Sequence, residues 1–139
     1  MGIVIDTSAI VALERSNRDF REMLGPLADD QVIIPMIVWT ELLVGVRLAT
    51  SSRVASQRRA HLERIRLAVP IMEFDAEIAE HYADIFVECQ QARQMIPQND
   101  IAVAATARHL RYSVLVGEKG EGHFQRVKGL QVIVLGRLG

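Results

Sequence analysis

Three carboxylates stand where acids are hard to explain: Asp6, Glu41 and Asp100. Asp6 follows Ile3-Val4-Ile5, an apolar, β-branched run that reads as a strand buried on both faces. Glu41 falls inside the apolar stripe of a helix, flanked by Trp39, Leu42 and Leu43. Asp100 opens an alanine-rich helix, Ile101 to Leu110, with almost no polar face. Acids are rarely buried unpaired, and no lysine or arginine lies within a few positions of Asp6 or Asp100. A plainer account competes: Asp6 caps the helix that follows it, and Asn99-Asp100 caps another. Glu41 has no such account and needs a distant basic partner or a metal. If the three converge, each pair repels by on the order of 1 to 4 kcal/mol at ~4 Å, and a divalent cation removes that strain. An all-oxygen donor set suits Mg²⁺ or Mn²⁺ rather than zinc. Zinc is further disfavoured because no Cys/His pair has ligand spacing; His109 and His123 stand alone and read as surface or hydrogen-bonding residues.

The elements that must position these acids alternate along the chain. After the first strand, Asp6-Thr7-Ser8 turns into a helix at about residues 8 to 15 with almost no loop, so Asp6 sits at a strand's carboxyl end, where open α/β sheets place ligands. Ser16-Asn17 would cap a second helix through Leu27, and Val32-Ile33-Ile34 is a second buried strand ended by Pro35. Residues 36 to 50 form the helix of Glu41, and Ser51-Ser52 caps a basic helix from about Arg53 to Ala68. Residues 70 to 74 are strand-like, and Asp75 caps a helix with Ile78, Tyr82, Ile85, Phe86 and Cys89 on its core stripe. Cys89 there reads as packing. Residues 95 to 99 read as a loop before the Asp100 helix. Val114-Leu115-Val116 is a further strand, residues 117 to 122 a glycine-rich loop, and residues 130 to 135 the last strand. This alternation predicts an α/β fold, a short parallel sheet flanked by helices on both faces, in one domain over residues 1–139.

At 139 residues the chain can bury one core unaided. No apolar run reaches the ~20 residues of a membrane span, the first strand is too short for a secretory signal, and a single cysteine suits a reducing compartment. These features predict a soluble cytoplasmic protein. No Gly-x-x-x-x-Gly-Lys or Gly-x-Gly-x-x-Gly motif is present, which disfavours nucleotide folds of those types. The net charge of -1 hides an asymmetry. Arg47, Arg53, Arg58, Arg59, Arg64 and Arg66 share one segment with a single acid, Glu63. Solvated helix faces usually mix both signs, so Arg53, Arg58 and Arg59 are candidates for gripping a phosphate backbone.

Ile3-Val-Ile-Asp6-Thr7-Ser8-Ala, Thr40-Glu41-Leu-Leu-Val-Gly45 and Asn99-Asp100-Ile-Ala-Val-Ala-Ala-Thr-Ala107 resemble, in order and spacing, the three main motifs of the PIN domain, and most closely its VapC-type toxins. The resemblance runs on through Val114 and His123-Phe124 to Leu130. It implies a Mg²⁺-dependent endoribonuclease, with Mn²⁺ able to substitute, whose products carry a 5′-phosphate and a 3′-hydroxyl. Asp6 and Asp100 would be direct metal ligands, and Glu41 a ligand or an acid acting through water. It also implies a homodimer and a cognate antitoxin of a type II toxin–antitoxin pair, whose C-terminal segment lies over the acidic pocket. One departure stands out. The family's fourth acid, or asparagine, falls on Gly120 here; Glu121 beside it is a further candidate metal ligand and Glu118 another, either with a shifted backbone. That gap keeps a second reading open, a PIN-fold RNA- or antitoxin-binding module without catalysis. A receiver-like phosphoacceptor role for Asp6 is disfavoured, because the accompanying acids and late lysine are missing.

Overall fold

The computed structural model describes residues 2–16 and 19–137, with the side chains of Phe20, Met23, Glu121 and Arg137 outside that description. In chain order the elements are β1 (Gly2–Ile5), α1 (Thr7–Ser16), α2 (Phe20–Leu24), β2 (Gln31–Pro35), α3 (Met36–Arg47), α4 (Ser52–Ala68), β3 (Ile71–Met72), α5 (Ala76–Gln91), α6 (Gln98–Leu110), β4 (Ser113–Val116), α7 (Glu121–Phe124) and β5 (Val132–Val134). All five strands are parallel, in the order β3-β2-β1-β4-β5. The expected α/β architecture is therefore the observed one.

β1 is central, with Ile3 registered against Val32 on one side and Ser113 on the other. The chain leaves β1 for β2 in one direction and reaches β4 in the other, so the switch point lies beside β1. Every residue of β1 and β4 is buried, which accounts for their unbroken apolar runs. The alanines of α6 do the rest: Ala102, Ala104, Ala105 and Ala107 are buried and let α6 lie close to β1 and β4, with α5 packed along it. Ile78, Ile85 and Cys89 of α5 are buried, with Tyr82 and Phe86 half-buried beside them, as the stripe predicts.

Several boundaries differ from expectation, each for a local reason. Ser16 closes α1 and bonds back to the Leu13 carbonyl at 2.7 Å, while Asn17 lies outside the described residues. Asp19 caps α2 instead, accepting from the N–H groups of Arg21 and Glu22, and Gly25–Leu27 continues as a 3₁₀ turn. Helix α6 begins at Gln98, because Pro97 holds the extended backbone of the cap position; Asn99 and Asp100 lie inside the first turn and cap nothing. The glycine-rich segment is no open loop: Glu118–Gly120 forms a 3₁₀ turn that runs into α7.

Ile3 is fully buried between two flanking strands, β2 and β4, whereas Val87 on the outer face of α5 is about half exposed. Ile3→Ala is expected to lower unfolding free energy by about 2–5 kcal/mol. Val87→Ala should stay within ~0.5 kcal/mol of wild type. Denaturant midpoints of the two variants check this contrast.

Candidate active site

Asp6 is the last residue to pair with the sheet and the first to serve the helix. Its N–H donates to the Leu115 carbonyl at 2.9 Å, and its own carbonyl accepts from Ala9 and Ile10. The side chain turns back on the new helix: Oδ2 accepts from the Ser8 N–H at 3.2 Å and from the Ser8 hydroxyl at 2.6 Å. Asp6 therefore does cap α1, but at 5 % exposure the cap is no surface ornament. Burial pushes its carboxyl above the ordinary range, the Asp100 charge pushes it further, and the bonds from Ser8 and Thr7 pull against both.

Glu41 projects from the middle of α3 and accepts the Thr7 hydroxyl on Oε1 at 3.0 Å. It is half-buried, and burial raises its carboxyl first, followed by the charges of Asp6 and Asp100; hydrogen bonds from Thr7 and Asn99 oppose this. Asp100 in the first turn of α6 has its Oδ2 2.7 Å from Nδ1 of His123. The three acids thus come from three elements into one mutual electrostatic field. Among the described residues none of them has a lysine or arginine salt-bridge partner. Nor, among those residues, do three His, Cys, Asp or Glu side chains already converge closely enough to hold an ion. Each carboxylate is instead held by its own neighbour: Ser8, Thr7 or His123. The donors are all hard oxygens under like-charge strain and, among the described residues, without a lysine or arginine partner, which fits a hard divalent cation.

The residues that hold the acids are the ones sequence reasoning passed over. Thr7 and Ser8 read as helix caps, Asn99 as loop, and His123 as isolated. The signal available for the first two was the uninterrupted Asp-Thr-Ser run after a buried strand. His109 is not isolated either: its Nε2 lies 3.5 Å from Glu77 and its ring 5.6 Å from that of His81. Gly120 does come to the pocket, its α-carbon facing Ser8 and Asp6. Glu118 turns toward Gly136 instead, and the side chain of Glu121 lies outside the described residues.

Two clefts flank the N-terminal half of α1. One, of 400 Å³, is bordered by Thr7, Glu14, Arg15, Glu41 and Arg58; the other, of 570 Å³, by Ser8, Ala12, Arg15, Gly117 and Lys119. Arg15 borders both. Arg58 is fixed at its cleft by a 2.8 Å bond to the Gly45 carbonyl, with Glu14 3.9 Å away. Arg59 pairs with Glu63 on its own helix at 3.0 Å, and Arg53 is exposed near the helix start. Arg58 is thus the arginine of the three that the fold brings to a cleft shared with Glu41.

The sequence profile of the PIN domain matches residues 3–130. Ribonuclease VapC1 of Rickettsia felis is 33% identical over 135 residues, 97% of either chain. Ribonuclease VapC of Rickettsia bellii is 30% identical over 135 residues, again 97% of either chain. Among solved structures, VapBC2 of Rickettsia felis bound to a promoter DNA fragment superimposes with a TM-score of 0.84 at 22% identity, covering 96% of this chain and 98% of that one. VapBC-1 of nontypeable Haemophilus influenzae gives 0.79 at 21% identity, covering 99% and 100%. At these identities the structural likeness speaks for the fold alone, and the sequence matches carry the relationship. The chain belongs to the PIN domain family.

Proposed function

We propose that this protein is a divalent-metal-dependent endoribonuclease, the toxin of a type II toxin–antitoxin pair, using Mg²⁺ with Mn²⁺ as a substitute. The observation that carries the reading is that Asp6, Glu41 and Asp100 come from three parts of the fold into mutual electrostatic reach with, among the described residues, no lysine or arginine partner, Asp6 and Glu41 having carboxyls raised by burial. Full-length similarity to proteins named VapC ribonucleases, and a fold shared with VapBC complexes, support the activity and a cognate antitoxin as partner. No helix among the described residues is long and apolar enough to cross a membrane.

Asp6 and Asp100 are the residues we assign to hold the cation, with Glu41 beside them. When bound, the cation supplies charge neutralisation at the scissile phosphate and acidifies water. Ser8 and Thr7 orient the Asp6 and Glu41 carboxylates before substrate arrives. Glu41, whose raised affinity for protons suits a base, takes a proton from the attacking water. The water oxygen bonds to phosphorus as the P–O3′ bond breaks, and the departing 3′-oxygen takes a proton from solvent water, leaving a 5′-phosphate and a 3′-hydroxyl. Arg58 is assigned to the RNA backbone at the cleft edge, with Arg53 and Arg59 as outer contacts on α4. The lack of a carboxylate at Gly120 favours the second reading, a binding module that does not cut.

Labelled RNA incubated with Mg²⁺ or Mn²⁺ should be cut, and EDTA should stop it. Asp6→Asn and Asp100→Asn should abolish cleavage, and Glu41→Gln should slow it by about 10²–10⁴-fold. Folded protein that binds RNA but cuts none in either metal would establish the binding-module reading. Replacing Arg58 and Arg59 together by glutamine should weaken RNA binding and flatten its logarithmic salt dependence by roughly 0.7 per lost phosphate contact. An unchanged slope in a filter-binding titration would exclude both from the interface.

The raised carboxyls also set a stability trend. A carboxyl that binds its proton more tightly in the folded state contributes stability at low pH, and that contribution is lost as pH rises from its ordinary range through the raised native value. Metal-free Asp6→Asn should therefore melt above wild type at pH 7, with the gap closing toward acid. Adding Mg²⁺ should raise the melting temperature of wild type and leave the variant unmoved. Calorimetric scans across pH, with and without metal, measure both.

A further inference from the structure

The segment after β4 comes down on the first turn of α1 at one atom, the Ser8 hydroxyl. A hydroxyl carries one proton and two lone pairs. Ser8 Oγ gives its proton to Asp6 Oδ2 at 2.6 Å and accepts the Gly117 N–H at 3.0 Å. It joins residues 109 positions apart in the chain and ties the acid that follows β1 to the backbone that follows β4. Two glycines make the approach feasible. A Cβ at Gly117 would stand 2.6 Å from the Ser8 carbonyl oxygen. A Cβ at Gly120 would stand 2.5 Å from Ser8 Oγ, 3.2 Å from Ser8 Cβ and 3.3 Å from Asp6 Oδ2. The tightest of these last three contacts is with the hydroxyl alone, so any side chain at 120 must first push that oxygen away.

We propose that Ser8 is the positioning residue of the pocket, holding the Asp6 carboxylate in the orientation that receives the cation, and that Gly120 is kept bare so that this hydroxyl stays in place. Position 120 then serves the site through the absence of a side chain. A carboxylate introduced there would displace Ser8 from Asp6 before it could add a ligand. The backbone N–H of Ser8 also reaches Oδ2, but only at 3.2 Å, so the hydroxyl is the shorter tie. The inference rests on the metal-site reading given above.

The test measures Mn²⁺ binding by calorimetric titration for wild type, Ser8→Ala, Gly120→Ala, the double variant and Asp6→Asn, with melting curves of each in EDTA. Ser8→Ala keeps the helix and the backbone bond, and should weaken Mn²⁺ affinity about 10- to 100-fold, the usual range for losing a group that orients a ligand. Gly120→Ala should weaken it comparably. The double variant should be no worse than Ser8→Ala, because both changes act on the same oxygen; the melting-temperature loss of Gly120→Ala should likewise shrink in the Ser8→Ala background. Additive losses, in affinity or in melting temperature, would overturn the proposal. If Asp6→Asn loses Mn²⁺ while Ser8→Ala binds it as wild type does, the positioning role fails and the metal site stands. If wild type binds no Mn²⁺, or Asp6→Asn binds it equally well, the metal-site reading fails and takes the positioning role with it.

Discussion

A carboxylate buried at the end of a central strand, without a lysine or arginine partner among the described residues, is the constraint around which this molecule is arranged. Asp6 is 5 % exposed, and its position is dictated by backbone pairing of β1 with β2 and β4. Such a group survives only if its lone pairs are satisfied by donors. The chain supplies them from the next residues, Thr7 and Ser8, by starting a helix at once. That abrupt start places the Thr7 hydroxyl against Glu41 of α3 and the Ser8 hydroxyl against Gly117 beyond β4. Three elements are thereby registered to one turn. Bare backbone at Gly117 and Gly120 follows from the same crowding.

How much of this was legible depends on the range of the interaction. Runs such as Ile3-Val4-Ile5 and Val114-Leu115-Val116 betray buried parallel strands because nothing polar interrupts them, and the α5 stripe betrays its core face by spacing. The acids were legible as conflicts between residue type and surroundings. Their supporting groups were not, since the hydroxyl that caps a helix and the hydroxyl that orients a carboxylate are the same residue type at the same place. His123 meets Asp100 across 23 residues, and no local pattern reports such a contact. Glycine content in residues 117–122 suggested an open loop, yet glycine there permits close packing onto α1. The arginines of α4 announced a charge but not its use. Arg59 spends its charge on Glu63 one turn away, while Arg58 reaches back 13 residues to Gly45 and so stands at a cleft.

The near-neutral sum of charges conceals a separation with consequences for substrate approach. Arg15 and Arg58 stand at the edge of a cleft whose inner side carries Glu41. A phosphate drawn in by those cations meets carboxylates, and like charges at contact distance repel by about 1–4 kcal/mol per pair. On the proposed reading, acids that bind a cation also exclude an anionic backbone until the cation is present. Under the proposed function this makes metal loading a condition for productive RNA binding at the acids, while arginine contact at the edge needs no metal.

The three acids stand differently on their helices, and under the proposed function the difference matches separate roles. Asp6 caps α1 and Asp100 lies in the first turn of α6, so each faces the positive end of a helix dipole, worth about 0.3–1 kcal/mol to a negative charge. Glu41 sits in the middle of α3, where no such field helps. It leans on Thr7 and Asn99 against burial and two neighbouring charges. Under the proposed function, the two acids at helix termini are placed to hold a cation. Glu41, whose carboxyl is raised by burial, is placed to accept a proton. Under the proposed function, metal holding and proton transfer divide according to where each carboxylate stands on its helix.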